Sequence, residues 1–416
     1  MSEIATKSIL TELVSGVEGQ VATCKLSQEA EAFLAKTGIP SKRHESWKYT
    51  NIKRLFDNGL TVVNSAYSVH TSELNLANTI SIGLTNDAVT NKLPTINGVD
   101  VFMADGKTEL LGSTGIHQKE ELAALNTALF QNALVIRVKK GTELSSTILL
   151  NQRVELEANS FANPRVLIIV EDGASAKLVH HFHGTKNSDS SLLNHVTEVF
   201  VGQNARLELN YVQEIGEGNL MTTTEVECQR DSNFTTNCIQ LSGKLLRNNL
   251  NIRLKGENIE THLNGFYMLN GKELFDNHTH VDHLEPHCES NEIYRGILAG
   301  NSTGVFNGKV FVHRDAQKTN GYQSNNNILL SDDATMNSKP ELEIYADDVR
   351  CSHGSTTGQL DEEAVFYLRT RGLDEFGATA LLLSAFASDV LNAISSEELR
   401  TILEQKIQDK LKGMRA

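Results

Sequence analysis

Cysteine is sparse in this sequence and unsuited to cross-linking. Cys24, Cys228, Cys238, Cys288 and Cys351 form an odd set with no CxxC pair, which argues against a disulfide framework and fits free thiols in a reducing compartment. Positive charge is in deficit. The 52 acidic and 38 basic residues leave a net charge of -14, which repels nucleic acid and anionic membrane surfaces. Long apolar runs are also missing. The longest, such as Val166 to Val170 and Ala378 to Leu383, fall well short of the roughly 20 residues that cross a bilayer. The opening MSEIATKSIL lacks an apolar signal core and the Arg-rich, acid-poor character of a transit peptide, and Glu3 and Glu12 come early. The expectation is a cytoplasmic protein with neither nucleic acid nor membrane as a partner.

Several catalytic signatures are absent. The nearest approach to a phosphate-binding loop, Gly265 to Lys272, has one residue too many between its glycines and is followed by Glu273 instead of Ser or Thr. No Gly-x-Ser-x-Gly elbow and no dinucleotide fingerprint after a strand occurs. The chain is not expected to hydrolyse ATP, nor to act as a hydrolase or dehydrogenase.

What is present is a change of period along 416 residues. Residues 1–95 start out helical. Ser27 is placed to cap a helix carrying Glu29 and Glu31 in its first turn and Ala30, Phe33 and Leu34 on its inner face, ending at Gly38-Ile39-Pro40. A short helix or turn follows around Trp47 to Phe56, and the polar stretch 64–94 has no firm pattern. Residues 96–355, with a mixed lead-in to about 132, shift to period two. Leu207, Leu209 and Tyr211 alternate with Arg206, Glu208 and Asn210, which separates an apolar face from a polar one. Val135 to Val138, Val166 to Val170, Val196 to Val201, Ile259 to Leu269 and Val305 to Val312 read the same way.

Strands in unbroken succession must close into a sandwich, barrel or solenoid. Segments beginning near Gly304, Gln323 and Leu342 follow at about 19 residues, a spacing typical of coil repeats. Ser324-Asn325-Asn326-Asn327 suits turns or internal amide ladders. The expected fold is mainly β: a right-handed parallel β-helix (β-solenoid) core flanked by N-terminal and C-terminal α-helical domains.

Residues 356–416 return to helical spacing. Asp361-Glu362-Glu363 complements a helix start, and Gly372 is placed to end that helix. Leu383, Ala387, Val390, Leu391 and Ile394 share one face. Ser395 and Glu398 form a capping box ahead of Leu399, Ile402, Leu403, Ile407 and Leu411.

Three histidine groups are candidates for chemistry. In a strand, Cys351 and His353 point to one face, and thiolate with imidazole suits iron, zinc or an iron–sulfur cluster. Two ligands are half a site, so the others must come from elsewhere in the chain or from a partner. On the residues alone, a small buried cysteine beside a surface histidine is the favoured reading. The second group, His278, His280 and Glu285, has the H-x-H-x4-E spacing of a cupin metal site. It raises the alternative of a cupin-like metal-dependent oxygenase or isomerase, although the Pro-x-Gly turn and fourth ligand are missing, with His313 the only candidate. Stacked histidines on a polar solenoid face are at least as good a reading. The third group, His180, His181 and His183, has no carboxylate at ligand spacing and reads as a solvated strand edge.

From Asp282 onward an ordered series of motifs appears. Asp282-His283 with Ser290, Tyr294-Arg295-Gly296, Phe306-x-Gly308 and Ala316-Gln317-Lys318-Thr319 come first. Asn327 to Leu330, Lys339-Pro340-x-Leu342-Glu343-Ile344, Ala346 to Gly354 and Phe366-Tyr367-Leu368-Arg369-x-Arg371-Gly372 follow. The series resembles the shared core of the SufB and SufD proteins of iron–sulfur cluster assembly. Arg43-x-Glu45-x-Trp47-Lys48-Tyr49-Thr50 resembles the SufD side in particular.

The resemblance implies a noncatalytic β-helix subunit that pairs with a SufB paralogue and binds the SufC ATPase through residues 361–416. ATP-driven SufC dimerisation would rearrange the pairing interface. His353 matches the histidine implicated there in building a nascent cluster, with Cys351 as its supporting neighbour; the sulfur-accepting cysteine belongs to SufB. The resemblance thus raises His353 and Cys351 to a metal half-site, and it makes His283 part of the solenoid wall. It implies no cofactor on the isolated chain, a monomer or homodimer. A transient iron–sulfur cluster, with reduced FAD as a further candidate, is expected in the complex.

Overall fold

The computed structural model describes residues 24–63, 74–184 and 187–414. The opening decapeptide and Glu12 lie outside them, as do residues 64–73 of the unassigned stretch.

Strands alternate between two sheets. Each pairs in parallel with the strand two places on, as Leu192–Val201 does with Asn219–Cys228 and Arg206–Glu214 with Asn233–Ser242. One chain wound this way is a β-solenoid, in which every coil adds a rung to both sheets. In-register partners such as Asn219 and Leu245, or Thr303 and Thr335, are 26 and 32 residues apart. The spacing of about 19 expected from the sequence is therefore not the coil. It falls near the interval between strands of opposite sheets, because the two faces share the same alternation and only register distinguishes them. All six strands read from the pattern are present.

The first sheet opens with the antiparallel pair Val99–Ala104 and Ala133–Val138. The second reaches back to Thr79–Thr85, which pairs with Thr147–Arg153 and makes a short hairpin with Ala88–Val89. Strands of the solenoid thus lie within the expected N-terminal region. Alternate side chains fill the lumen, among them Leu207, Leu209, Phe234, Leu263, Phe275 and Phe306.

Both sheets are also covered on their outer faces. Helices α1 (Lys25–Thr37), α2 (Lys53–Asp57) and α3 (Glu121–Leu129), with the 3-10 turn Glu45–Trp47 between the first two, bring Ala30, Leu34, Trp47, Phe56 and Leu125 onto Phe161, Leu192, Met221 and Leu245 of the first sheet. At the start of α1, Cys24 is the cap, and Ser27 reaches back to accept its backbone N–H at 3.1 Å, so the helix begins earlier than expected. Helix α4 (Glu362–Thr370) is capped by Asp361. Helices α5 (Glu375–Leu391) and α6 (Glu397–Gly413) lay Leu383, Ala387, Val390, Leu399, Leu403 and Ile407 over Val179, Val212, Ile239, Phe266 and Ile297 of the second sheet. Ser396, not Ser395, caps α6, and Glu398 instead accepts the backbone N–H of Ala77 at 2.8 Å. Each such buried aliphatic chain is worth about 1.5–3 kcal/mol, so α5 and α6 belong to the core.

Amides cross the coils in ladders. Asn237 donates to Asn210 at 2.7 Å and accepts from Asn264 at 2.9 Å, the three standing at matching register.

Candidate functional site

The solenoid ends on two strands, Thr335–Ile344 in the first sheet and Arg350–Gly358 in the second. Among the described residues each pairs on one side only. Their free edges differ. Thr335–Ile344 carries Lys339, Pro340, Glu341 and Glu343, residues that discourage another strand from joining. Arg350–Gly358, with the sequence RCSHGSTTG, has no proline, lysine or carboxylate and is exposed along most of its length.

Cys351 and His353 lie on that open strand, and their parity turns both toward the lumen side. Cys351 is in register with Gly321 and His353 with Gln323. A carbon built on Gly321 would stand 3.2 Å from Cys351 Sγ; a side chain there would crowd the thiol. Cys351 is half-buried against Val310, Val312, Ala316 and Ala346. Burial pushes its thiol above the usual range, with the Gly321 backbone partly opposing. Beside it opens a cleft of ≈ 390 Å³ lined by Ser290, Gly321, Tyr322, Arg350 and Cys351. His353 is exposed. The pair shares one face of the strand, as the sequence spacing predicts. Among the described residues no group of three His, Cys, Asp or Glu side chains is arranged to hold a metal ion.

The cupin-like triad is not assembled. His278 and His280 do share a face, on the outside of the first sheet, but His278 Nε2 is engaged by Asp276 Oδ1 at 2.9 Å. Glu285 falls in an exposed bend after the strand. His283 faces the lumen and meets Ser290 Oγ at 2.9 Å, and burial lowers its pKa to about 4. The third group differs from expectation as well. His180, His181 and His183 are all buried, and a carboxylate is supplied by the adjacent strand, with Glu214 Oε1 2.6 Å from His181 Nε2. Lys406 of α6 also reaches Glu214, at 2.8 Å. Pairing between distant segments, invisible to local spacing, produced that contact.

Two clusters join residues that no local spacing in the sequence links. Arg247 stacks on Trp47 and bonds Asp276 Oδ2 at 2.7 Å, while Thr50 donates to the same carboxylate. The N-terminal Trp47 motif is thereby seated on the first sheet, and Glu45 extends it to Lys339 on the terminal strand at 2.6 Å. Deeper in, Arg165 and Glu198 form a fully buried pair at 2.7 Å, satisfied further by Thr127, Thr114 and the Gly112 backbone. At the other helical end, Phe366, Tyr367 and Leu381 of α4 and α5 are exposed large apolar side chains.

Comparison with known proteins agrees with this architecture. Residues 153–386 match the model of the SUF system FeS cluster assembly SufBD core domain. The chain is 30% identical to the iron–sulfur cluster assembly protein SufD of Escherichia coli over 396 residues, covering 91% of each chain. It is 30% identical to an iron–sulfur cluster assembly SufBD family protein of Synechocystis, covering 94% of this chain and 92% of that one. A chloroplast protein of Arabidopsis thaliana is 34% identical over 241 residues, which is 58% of this chain and 51% of its own length. With its core and most of its length matched, the chain belongs to the SufBD family of iron–sulfur cluster assembly proteins.

Proposed function

We propose that the chain is a noncatalytic scaffold subunit that pairs through its terminal coil with a SufB-type paralogue and carries a SufC-type ATPase on its C-terminal helices. The observation that supports this most is the unguarded strand Arg350–Gly358, which bears Cys351 and His353 on an open sheet edge. A partner strand added there would satisfy the free backbone groups, as in β-augmentation, and would bring its own side chains beside the half-site. The missing ligands then come from the partner. The iron–sulfur cluster is transient cargo of this shared edge, and reduced FAD is a cofactor of the assembled complex rather than of this chain. For the ATPase, Phe366, Tyr367 and Leu381 supply the apolar patch.

The test is reconstitution with the paralogue and ATPase that co-purify from the cell of origin. His353→Ala should leave complex assembly intact and abolish cluster formation; an unchanged cluster yield would overturn the site assignment. Phe366→Glu should release the ATPase while the paralogue stays bound. Deleting residues 361–416 is unsuitable, because it would strip α5 and α6 from the second sheet.

A further inference from the structure

Beneath His353 the lumen holds an ordered row. Glu292, Gln323 and His353 occupy one register line across three successive strands of the second sheet. Neighbouring strands lie about 4.8 Å apart, so each side chain stands over the next. Gln323 is fully buried, and its Nε2 donates to Glu292 Oε2 at 2.6 Å. That bond orients the amide, because the nitrogen end is the one held. The other end, Gln323 Oε1, is buried with no hydrogen-bond partner. A buried acceptor left unmade costs about 1–3 kcal/mol, and one so placed calls for an explanation. Gly308, opposite on the first sheet, leaves room for this arrangement. A carbon on it would stand 2.3 Å from Gln323 Nε2, which accounts for glycine in the Phe306-x-Gly308 motif.

We propose that Gln323 is a positioning residue for His353: its fixed carbonyl accepts one ring N–H of His353, leaving the other ring nitrogen free to ligate. A ligating histidine is commonly held in this manner, its second ring nitrogen donating to a carbonyl or carboxylate that sets the tautomer and aims the ring. His353 is one strand from that carbonyl and makes no other hydrogen bond among the described residues, so a rotation about its side-chain bonds would bring a ring N–H to the unmet acceptor. Glu292 acts one step further back by preventing the Gln323 amide from flipping. The inference rests on the reading of His353 as a ligand, and its test is separable from that reading.

The test uses the full-length chain with ¹⁵N-labelled histidine. Long-range ¹H–¹⁵N correlations report the tautomer of each ring, and the His353 signal is identified by its loss in His353→Gln. In the wild type one neutral His353 tautomer should dominate. In Gln323→Met, which keeps the volume and removes the acceptor, the tautomer ratio should shift severalfold. Glu292→Gln, a shape-conserving change, should shift it in the same direction and stands in if Gln323→Met does not fold. An unchanged ratio in a folded variant, the result expected if only a lumen water meets Gln323, would overturn the proposal. In the reconstituted complex the same variants should lower cluster yield by about tenfold, the low end of losses from such supporting partners. A cluster yield indifferent to His353→Ala, with the tautomer shift still present, would instead overturn the ligand reading alone.

Discussion

The guanidinium of Arg247 lies 3.8 Å from the centroid of the Trp47 ring, joining the N-terminal layer to the outer face of the first sheet. The same guanidinium neutralises Asp276, which is 1% exposed. Burial alone would push the Asp276 carboxyl up, but Arg247, His278 and Thr50 outweigh it and hold the pKa at about 2. A carboxylate depressed in the folded state stabilises above its ordinary value of 3.8 and loses that contribution as pH falls through about 2. The loss over that window is about 2 kcal/mol. We expect Asp276→Asn to flatten the urea midpoint between pH 4 and 2, relative to wild type. Arg247→Met should cost about 3–5 kcal/mol near neutrality, since it strands a buried charge.

Glu225 titrates in the opposite sense. Burial raises its carboxyl to about 8, against the opposing pull of Lys119 and Arg253. Such a group contributes stability in full below its ordinary 4.5, and that contribution is lost as pH rises through about 8. Glu225→Gln should therefore resemble wild type at pH 5 and be the more stable protein at pH 9, by on the order of 3 kcal/mol. Equilibrium urea unfolding at the two pH values checks this, and equal gaps at both would refute it.

The solenoid was legible because alternation at Leu207, Leu209 and Tyr211 reports a face, and a face is what period two encodes. Coil length was not. Pairing Asn219 with Leu245 depends on register across 26 residues, and repeated residue types such as Asn210, Asn237 and Asn264 or Leu269, Leu298 and Leu329 recur at unequal intervals rather than one fixed period. Alternation also fades where helices cover the outer face, so Phe266, Tyr267, Met268 and Leu269 are all buried. At the site, the shared face of Cys351 and His353 was readable from their spacing. Their place above Gly321 and Gln323 was not, since those residues adjoin them only through sheet register.

Cys351 is the single cysteine that is not buried; Cys24, Cys228, Cys238 and Cys288 are enclosed. Native alkylation by iodoacetamide followed by peptide mapping should therefore modify Cys351 alone. Its thiol is raised by burial, and the thiolate is the reacting form, so labelling should be slow at pH 7 and accelerate steadily toward pH 10. Addition of the paralogue should protect it if the strand Arg350–Gly358 is the pairing edge. Equal labelling of the free and paired chain would move that interface elsewhere.

The apolar residues of the C-terminal helices divide into two sets with different consequences. Leu403 of α6 is fully buried against the second sheet, whereas Phe366 of α4 is 67% exposed. Truncating Leu403 to Ala removes buried methyl groups and leaves a cavity, at a cost of about 2–5 kcal/mol. Truncating Phe366 to Ala removes surface already in contact with water and should change stability by no more than about 0.5 kcal/mol. If the exposed set serves binding, Phe366→Ala should weaken ATPase capture with an unaltered urea midpoint, while Leu403→Ala should lower the midpoint and leave capture by the folded fraction intact. Measuring both quantities on both variants separates the two roles. A shift in midpoint without any change in capture for Phe366→Ala would place that ring in the core and remove it from the docking surface.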